Sequence, residues 1–304
     1  MGDTSIQALE KMPWCKQRPT AKTTGRMFKK ILVPLDGTAD SERVIDWVKP
    51  FARLGADIHL VTIVDSRHLA EAYEFADLTE SITEWADQYL GGILKTVQGE
   101  FPSAISSRAT GTPARDILKV ASEVGADLIA MESHRGSAVI RGILGSCTDA
   151  IVRSGKVPVL MLPPGGASVQ APEKPATILI PLDGSGLAEN ALTIGVEMAA
   201  AFGAEVSLVR STTAAVYAGG EYGPEMADAW DQAIRFQQKE AGEYLDSQAA
   251  SIKDSVFSVS THVSSDSGAS AIIDALDDAP STIAGRHTAV AEYVVSYWGA
   301  SPIK

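Results

Sequence analysis

The strongest constraint on the fold is an internal repeat. Residues 28–38 read FKKILVPLDGT and residues 176–185 read ATILIPLDGS, so Asp36 and Asp183 occupy the same local frame 147 positions apart. A second pair of similar segments follows, FARLGADIHLV at 51–61 and AAFGAEVSLV at 200–209. Because this period is much longer than that of a solenoid repeat, it predicts two copies of one domain of about 140 residues.

The repeat also sets the predicted domain boundaries. We place domain 1 at 28–164, a Pro- and Gly-rich linker at 165–175, and domain 2 at 176–304. Residues 1–27 are polar and lack the apolar stretch of an export signal. We interpret them as a mobile N-terminal extension, with an arm docked on a domain as the alternative.

Within each domain, β-rich runs alternate with helical patterns. In domain 1 the run Ile31–Val33 meets a Pro-Leu-Asp-Gly turn, and a helix from Ala39 to Leu54 follows, with apolar residues at helical spacing. The other segments of domain 1 are strands at 58–64, 104–109, 127–131 and 157–162, and helices at 70–99, from 113 and at 146–153. Those of domain 2 are 178–182, 187–202, 205–210, 225–251, 256–262, 270–279, 281–285 and a final helix at 289–298. This alternation predicts an α/β fold, a doubly wound parallel sheet with helices on both faces.

Composition narrows the class of protein. The chain is 45% hydrophobic and no apolar run reaches the roughly 20 residues of a membrane helix. Two cysteines cannot form a disulfide framework, which favours a reducing, cytoplasmic setting. Residues 171–304 hold seven Lys and Arg against 18 Asp and Glu. Such an acidic half should repel nucleic acid and anionic membranes, although an acidic surface is more often a matter of solubility.

Ligands of a doubly wound sheet bind beyond the carboxyl ends of the strands, which gives three candidate places. They are Pro34-Leu35-Asp36-Gly37-Thr38 after the first strand, Glu132 to Gly136 after the fourth, and Gly145-Ser146 at a helix start. Asp36 could accept hydrogen bonds from a ribose or a base amine, and is at least as well explained as a turn or cap residue. Ser146 could donate to an anion or serve as an ordinary N-cap.

The same motifs carry a family resemblance. Domain 1 resembles a universal stress protein domain along nearly its whole length, and domain 2 resembles the same family, more weakly towards its end. The matching segments are ILVPLDGT, the Gly55-Ala56 helix stop, Gly111-x-Pro113-Ala114, ADLIAM, SHRGSAVIRGILGS and VPVLML. Their order and spacing together are specific, and the whole chain is similar to a tandem universal stress protein.

This resemblance implies a five-stranded parallel sheet in the order 3-2-1-4-5 in each domain, with domain 2 degenerate at its C-terminal end. Some members of the family bind ATP and others do not. In those that do, the Asp after the first strand contacts the adenosine, and a glycine-rich loop contacts ribose and phosphates. Carried over, the implied ATP-binding residues are Pro34, Asp36, Gly37, Thr38, Val64, Arg135, Gly136, Gly145 and Ser146.

The chain departs from the ATP-binding pattern in its phosphate loop. Glu132 and Arg135 replace two leading glycines, and Gly136 comes one position late. Glu132 brings a negative charge to the expected place of a polyanion, while Arg135 could pair with a phosphate. In the alternative, Glu132 and Arg135 pair with each other or face water. In domain 2 the Gly-Ser pair is missing, so Asp183 is better explained as a turn residue.

No catalytic or metal-binding constellation stands out. Cys147 follows Ser146 at a helix start, where its pKa could be lowered, but we favour a small buried hydrophobe. We therefore predict a non-catalytic stress-response or signalling protein that acts through partner binding. The alternative is an ATP-binding regulator or very slow ATPase with one site in domain 1. The apolar strand 157–162 predicts pairing with another chain in a homodimer, or an intramolecular pseudo-dimer.

Overall fold

The computed structural model describes residues 28–66, 76–132, 146–162, 177–212, 224–266, Ala271 and 294–296. These residues divide into two compact units. The first, domain 1, holds the described residues of 28–162 together with 294–296. The second, domain 2, holds the described residues of 177–266 and Ala271.

The parallel sheet predicted for domain 1 is confirmed. Its strands are β1 (Lys30–Pro34), β2 (Asp57–Asp65), β3 (Ile105–Gly111), β4 (Leu128–Glu132) and β5 (Val159–Leu162). The helices between them are α1 (Ala39–Arg53), α2 (Ala76–Gln98), α3 (Pro113–Val124) and α4 (Ser146–Ser154). The strands run in the order β3-β2-β1-β4-β5 and all four neighbouring pairs are parallel. All five carboxyl ends therefore lie at one edge of the sheet, the carboxyl edge, where β1 and β4 are neighbours.

The central strands are buried on both faces. Ile31, Leu32 and Val33 of β1 are fully buried, and β4 is buried along its whole length. Such continuous apolar runs are typical of a parallel sheet that helices cover on both sides. Because β4 ends on Glu132 and is buried to its last residue, a buried carboxylate lies at the carboxyl edge.

Helix α1 shows how local sequence positions the loop that precedes it. The hydroxyl of Thr38 accepts a hydrogen bond from the backbone N–H of Ser41 at 3.2 Å, which makes Thr38 the N-cap. The face predicted from helical spacing is buried, namely Val44, Trp47, Val48 and Phe51. The helix ends at Arg53, and Gly55 follows with φ +98°, in agreement with the predicted glycine stop.

A further strand, β9 (Val294–Ser296), extends the sheet beyond β5. It pairs antiparallel with β5, with Leu160 opposite Val295. The helix predicted at 289–298 is therefore wrong for these three residues, which are extended. The sequence predicted that another chain pairs with the free edge of β5. That edge is instead covered by β9, whose residues lie within the predicted bounds of domain 2.

Domain 2 repeats the first three strands of domain 1. Its strands are β6 (Thr177–Pro181), β7 (Glu205–Ser211) and β8 (Val259–Ser264), parallel and in that order. Its helices are α5 (Gly186–Phe202) and α6 (Pro224–Ile252), close to the predicted segments. The smaller sheet matches a degenerate second copy. Of the predicted segments 270–279 and 281–285, the structure describes only Ala271, which is buried against Val209.

Candidate functional site

The loop between β1 and α1 lies at the carboxyl edge of domain 1. Asp36 is exposed, and its Oδ1 accepts hydrogen bonds from the backbone N–H of Thr38 at 3.0 Å and from the Thr38 hydroxyl at 2.7 Å. Between them, Gly37 has φ +88°, a conformation that strongly favours glycine. Asp36 therefore has the turn-stabilising role that the sequence allowed, and the turn holds its carboxylate in one place.

Hydrogen bonds to the first turn of α1 hold this loop in place. The backbone N–H of Asp36 donates to the hydroxyl of Ser41 at 3.3 Å, and that hydroxyl donates to the Thr38 carbonyl at 2.9 Å. Ser41 is buried. A polar side chain is tolerated there because its hydroxyl both accepts and donates a hydrogen bond. The loop is thus hydrogen-bonded to the helix, so it needs little reorganisation for Asp36 to accept a hydrogen bond from a ligand.

The start of α4 lies close to this loop. Ser146 is the first residue of α4 and is exposed. Burial raises the pKa of the neighbouring Cys147 thiol, and the carboxylate of Asp36 raises it further. That electrostatic coupling requires Asp36 and the first turn of α4 to be near each other. The half-buried thiol also packs against the core, as the sequence favoured, and is not an activated nucleophile.

Glu132 occupies the end of β4, and its side chain is only 2% exposed. Its Oε1 lies 3.6 Å from a guanidinium nitrogen of Arg43 on α1. The expectation that Glu132 faces water is therefore wrong. Arg43 belongs to α1, and no motif in the sequence pointed to it; the alternative pair of Glu132 with Arg135 lies outside the described residues. The ion pair neutralises the charge that would otherwise oppose an anionic ligand at this edge.

The remaining predicted site residues fall into two groups. Pro34 ends β1 and is half-buried, and Val64 is buried near the end of β2 opposite Thr110. Both supply apolar surface beneath the carboxyl edge. Arg135, Gly136 and Gly145 lie outside the described residues.

An aromatic pair on α2 adjoins the β1–α1 loop at the carboxyl edge. Trp85 and Tyr89 stack in parallel, with ring centroids 5.3 Å apart and 3° between the planes. A Cβ added to Gly37 would lie 2.5 Å from Cη2 of Trp85, so the indole touches this loop. Sequence reasoning missed this contact. Its signal was an aromatic pair four residues apart on a predicted helix, a pattern that more often marks core packing.

The equivalent edge of domain 2 has the same loop with different neighbours. Asp183 accepts a hydrogen bond from the backbone N–H of Ser185 at 2.8 Å, and Gly184 has φ +87°. The guanidinium of Arg210 stands 4.6 Å from the ring centroid of Tyr244 and lies next to Gly184. The Ser185 hydroxyl is the largest cause that lowers the pKa of Asp183, the backbone N–H of Ser185 lowers it as well, and Arg210 adds to the effect. A cation of the chain itself therefore lies next to this loop.

No group of three or more His, Cys, Asp and Glu side chains in the described residues is arranged to hold a metal ion. None of the described helices has the length and apolar character needed to cross a membrane.

Comparisons with known proteins agree with this architecture. The sequence profile described as the universal stress protein family matches twice, at residues 27–163 and 176–282. A universal stress protein of Methanocaldococcus jannaschii is 27% identical over 154 residues, which cover 45% of this chain and 95% of the relative. The crystal structure of a universal stress protein from Archaeoglobus fulgidus superposes with a TM-score of 0.61 at 19% identity, covering 84% of this chain and 83% of its own. With two matches that together span most of its length, the chain belongs to the universal stress protein family.

Proposed function

We propose that this chain is a non-catalytic, cytoplasmic stress-response protein that binds one nucleotide, ATP or a close relative, at the carboxyl edge of domain 1. Membership of the family supports the stress-response role. The exposed carboxylate of Asp36 supplies an acceptor for ribose hydroxyls, and the first turn of α4 supplies backbone N–H groups for phosphate. Partner proteins would respond to the occupied or empty state.

The observation that carries this proposal is the ion pair between Arg43 and Glu132. Two like charges about 4 Å apart near a protein surface repel each other by a few kcal/mol, which is enough to abolish micromolar binding. Glu132 was the strongest sequence-level objection to ATP for that reason. Its contact with Arg43 offsets the repulsion, so the edge is compatible with a polyanion.

Absence of turnover is part of the same proposal. Burial raises the pKa of Cys147, which keeps the thiol protonated and poorly nucleophilic. Hydrogen bonds from Thr38 hold Asp36 within its own turn. This arrangement suits a carboxylate that binds a ligand and does not transfer a proton. We expect bound ATP to be recovered intact after prolonged incubation with the protein.

Domain 2 supports a single site per chain. Arg210 lies beside Gly184, whereas the corresponding glycine of domain 1, Gly37, adjoins the Trp85 ring. A nucleotide that binds over Gly184 would have to displace this guanidinium from beside the glycine and from the face of Tyr244.

The first test is nucleotide content and affinity. Protein purified without added nucleotide is denatured, and its supernatant is resolved by anion-exchange chromatography; the native protein is then titrated with Mg-ATP by calorimetry. We expect one site per chain, weakened at least about tenfold by Asp36→Asn and unchanged by the matched Asp183→Asn. No bound nucleotide and no heat at millimolar ATP would refute the proposal and leave a scaffold that acts through protein partners alone.

The oligomeric state is a separate part of the partner proposal. The predicted homodimer rested on an uncovered β5, and β9 now covers that edge. We expect the full chain not to pair through β5, and a variant with Val294→Pro and Val295→Pro to associate, because proline removes the N–H groups of β9. Light scattering checks this, with threonine at both positions as the control. Equal masses for the proline and threonine variants would count against a protective role of β9.

A further inference from the structure

The indole of Trp85 is unusual in being both exposed and fixed. Half of its surface is accessible to solvent, although its ring stacks on Tyr89 one helical turn away. Single exposed aromatic side chains are common and by themselves need no function. What sets Trp85 apart is its position, against Gly37 at the carboxyl edge of domain 1.

Two separate contacts hold this ring. Its outer edge lies on the backbone of the β1–α1 loop, where Gly37 is the residue that leaves room for it. Behind it, the hydroxyl of Tyr89 is buried beside Glu42 and Ser41 at the start of α1, and burial together with Glu42 raises the pKa of this phenol. A planar group already held in place loses little entropy when a ligand stacks on it.

Hydrogen-bonding groups adjoin this plane. Asp36 precedes Gly37, and its carboxylate is close enough to raise the pKa of Tyr89 as well. An exposed aromatic face beside a carboxylate suits a ligand with two parts, a flat π-system and hydroxyl or amino donors. A nucleoside has both parts in one molecule.

The described residues of domain 2 do not show this arrangement. When the two long helices are aligned on their Tyr-Leu pairs, at 89–90 and 244–245, the position of Trp85 is taken by Glu240. The aromatic Tyr244 is covered by Arg210 instead of by another ring. The exposed aromatic face is therefore a feature of domain 1, where Gly37 adjoins the Trp85 ring, whereas Gly184 of domain 2 adjoins Arg210.

We propose that the exposed face of the Trp85 indole is the stacking surface for the base of the nucleotide in domain 1. This inference rests on the proposed nucleotide site and names the residue that binds the base. The affinity contributed by base stacking falls when the aromatic side chain is truncated, and it depends little on which base is bound. Removal of the ring should therefore weaken ligands that carry a base and leave a ligand without one unaffected.

The experiment compares three ligands and four proteins. Wild type, Trp85→Ala, Trp85→Phe and the control Trp230→Ala are titrated with ATP, adenosine and inorganic tripolyphosphate by calorimetry. Trp230 is a partly exposed tryptophan of α6 in domain 2. We expect Trp85→Ala to weaken ATP and adenosine at least about fivefold, Trp85→Phe to retain most of the affinity, and tripolyphosphate to bind equally to all proteins. Quenching of tryptophan fluorescence by adenosine should persist in Trp230→Ala and diminish in Trp85→Phe.

The outcomes separate this inference from the proposed function. If wild type binds ATP and Trp85→Ala binds it equally well, the stacking role is refuted and the nucleotide site stands. If wild type binds no nucleotide, the proposed function fails and the inference fails with it. If Trp85→Ala loses tripolyphosphate as well as adenosine, the ring supports the loop and does not stack on the base. Far-UV circular dichroism and thermal melting of each variant establish that it is folded.

Discussion

The two domains carry the same Pro-Leu-Asp-Gly turn and differ in what surrounds it. In domain 1 the neighbouring cation, Arg43, pairs with Glu132, and the turn adjoins the exposed ring of Trp85. In domain 2 the neighbouring cation, Arg210, lies beside Asp183 and Gly184 themselves. The same turn is thus flanked by an aromatic ring in one copy and by a cation in the other. The difference comes from side chains on other elements, so the turn sequence alone does not identify a site.

The largest expected effect tests the packing above the two glycines. Gly37→Ala requires both an unfavourable positive φ and displacement of Trp85, and should lower the free energy of unfolding of domain 1 by about 3 kcal/mol. In Gly184→Ala the nearest side-chain atom is 3.5 Å away, so the strain of about 1–2 kcal/mol acts alone. Urea denaturation with hydrogen exchange on β1 and β6 measures both. Equal losses would mean that Trp85 moves aside at no cost, and Gly37→Ala with Trp85→Ala should recover the part due to overlap.

The second prediction concerns the ion pair at the end of β4. Arg43→Met leaves the Glu132 carboxylate buried without this cation, and should destabilise domain 1 by about 2 kcal/mol and weaken ATP binding. The double variant Arg43→Met, Glu132→Gln should regain most of the stability, because the buried charge is gone. Calorimetry and urea denaturation of the three proteins check this. If the double variant is as unstable as Arg43→Met alone, Arg43 acts through packing and not through charge.

The third prediction sharpens the account of domain 2. Ser185→Ala should raise the pKa of Asp183 more than Arg210→Met does, because the Ser185 hydroxyl, which this change removes, is the largest cause of the lowered pKa of Asp183. Carboxyl carbon NMR across a pH titration measures the two shifts, with Asp36 as the internal reference in domain 1. A larger rise in Arg210→Met would show that the guanidinium dominates and would strengthen the view that it substitutes for a ligand.

The smallest effect concerns His59 of domain 1, whose equivalent position in domain 2 is Ser207. His59 is buried in β2, its Nε2 lies 2.8 Å from the hydroxyl of Ser107, and burial lowers its pKa. The unfolded chain therefore binds a proton more readily than the folded one, and stability should fall as the pH drops from about 7 through the lowered folded pKa. Thermal melting of wild type against His59→Asn checks this. An equal decline in both proteins would assign the acid sensitivity to other groups.

Local patterns predicted much of the architecture, and long-range contacts could not be inferred from them. The buried face of α1 followed from its helical spacing, and the strands from their apolar runs, because both signals lie within a few residues. The strand order came from family resemblance. The contacts of Arg43 with Glu132 and of Trp85 with Gly37 join elements far apart in the chain, so no local pattern encodes them. Residues 294–296 were predicted helical because propensity is weak and their strand partner, β5, lies in another part of the sequence.

The pairing of β5 with β9 also has a consequence for the order of events during synthesis. Val295 follows its partner Leu160 by about 135 residues, so at 5–20 residues per second the ribosome delivers the covering strand roughly 7–27 s after the strand it covers. For that interval domain 1 can fold around β1–β5 with one bare edge. The nascent chain therefore passes through a stage in which a chaperone, or a neighbouring chain on the same polysome, can reach β5 before the chain's own residues do.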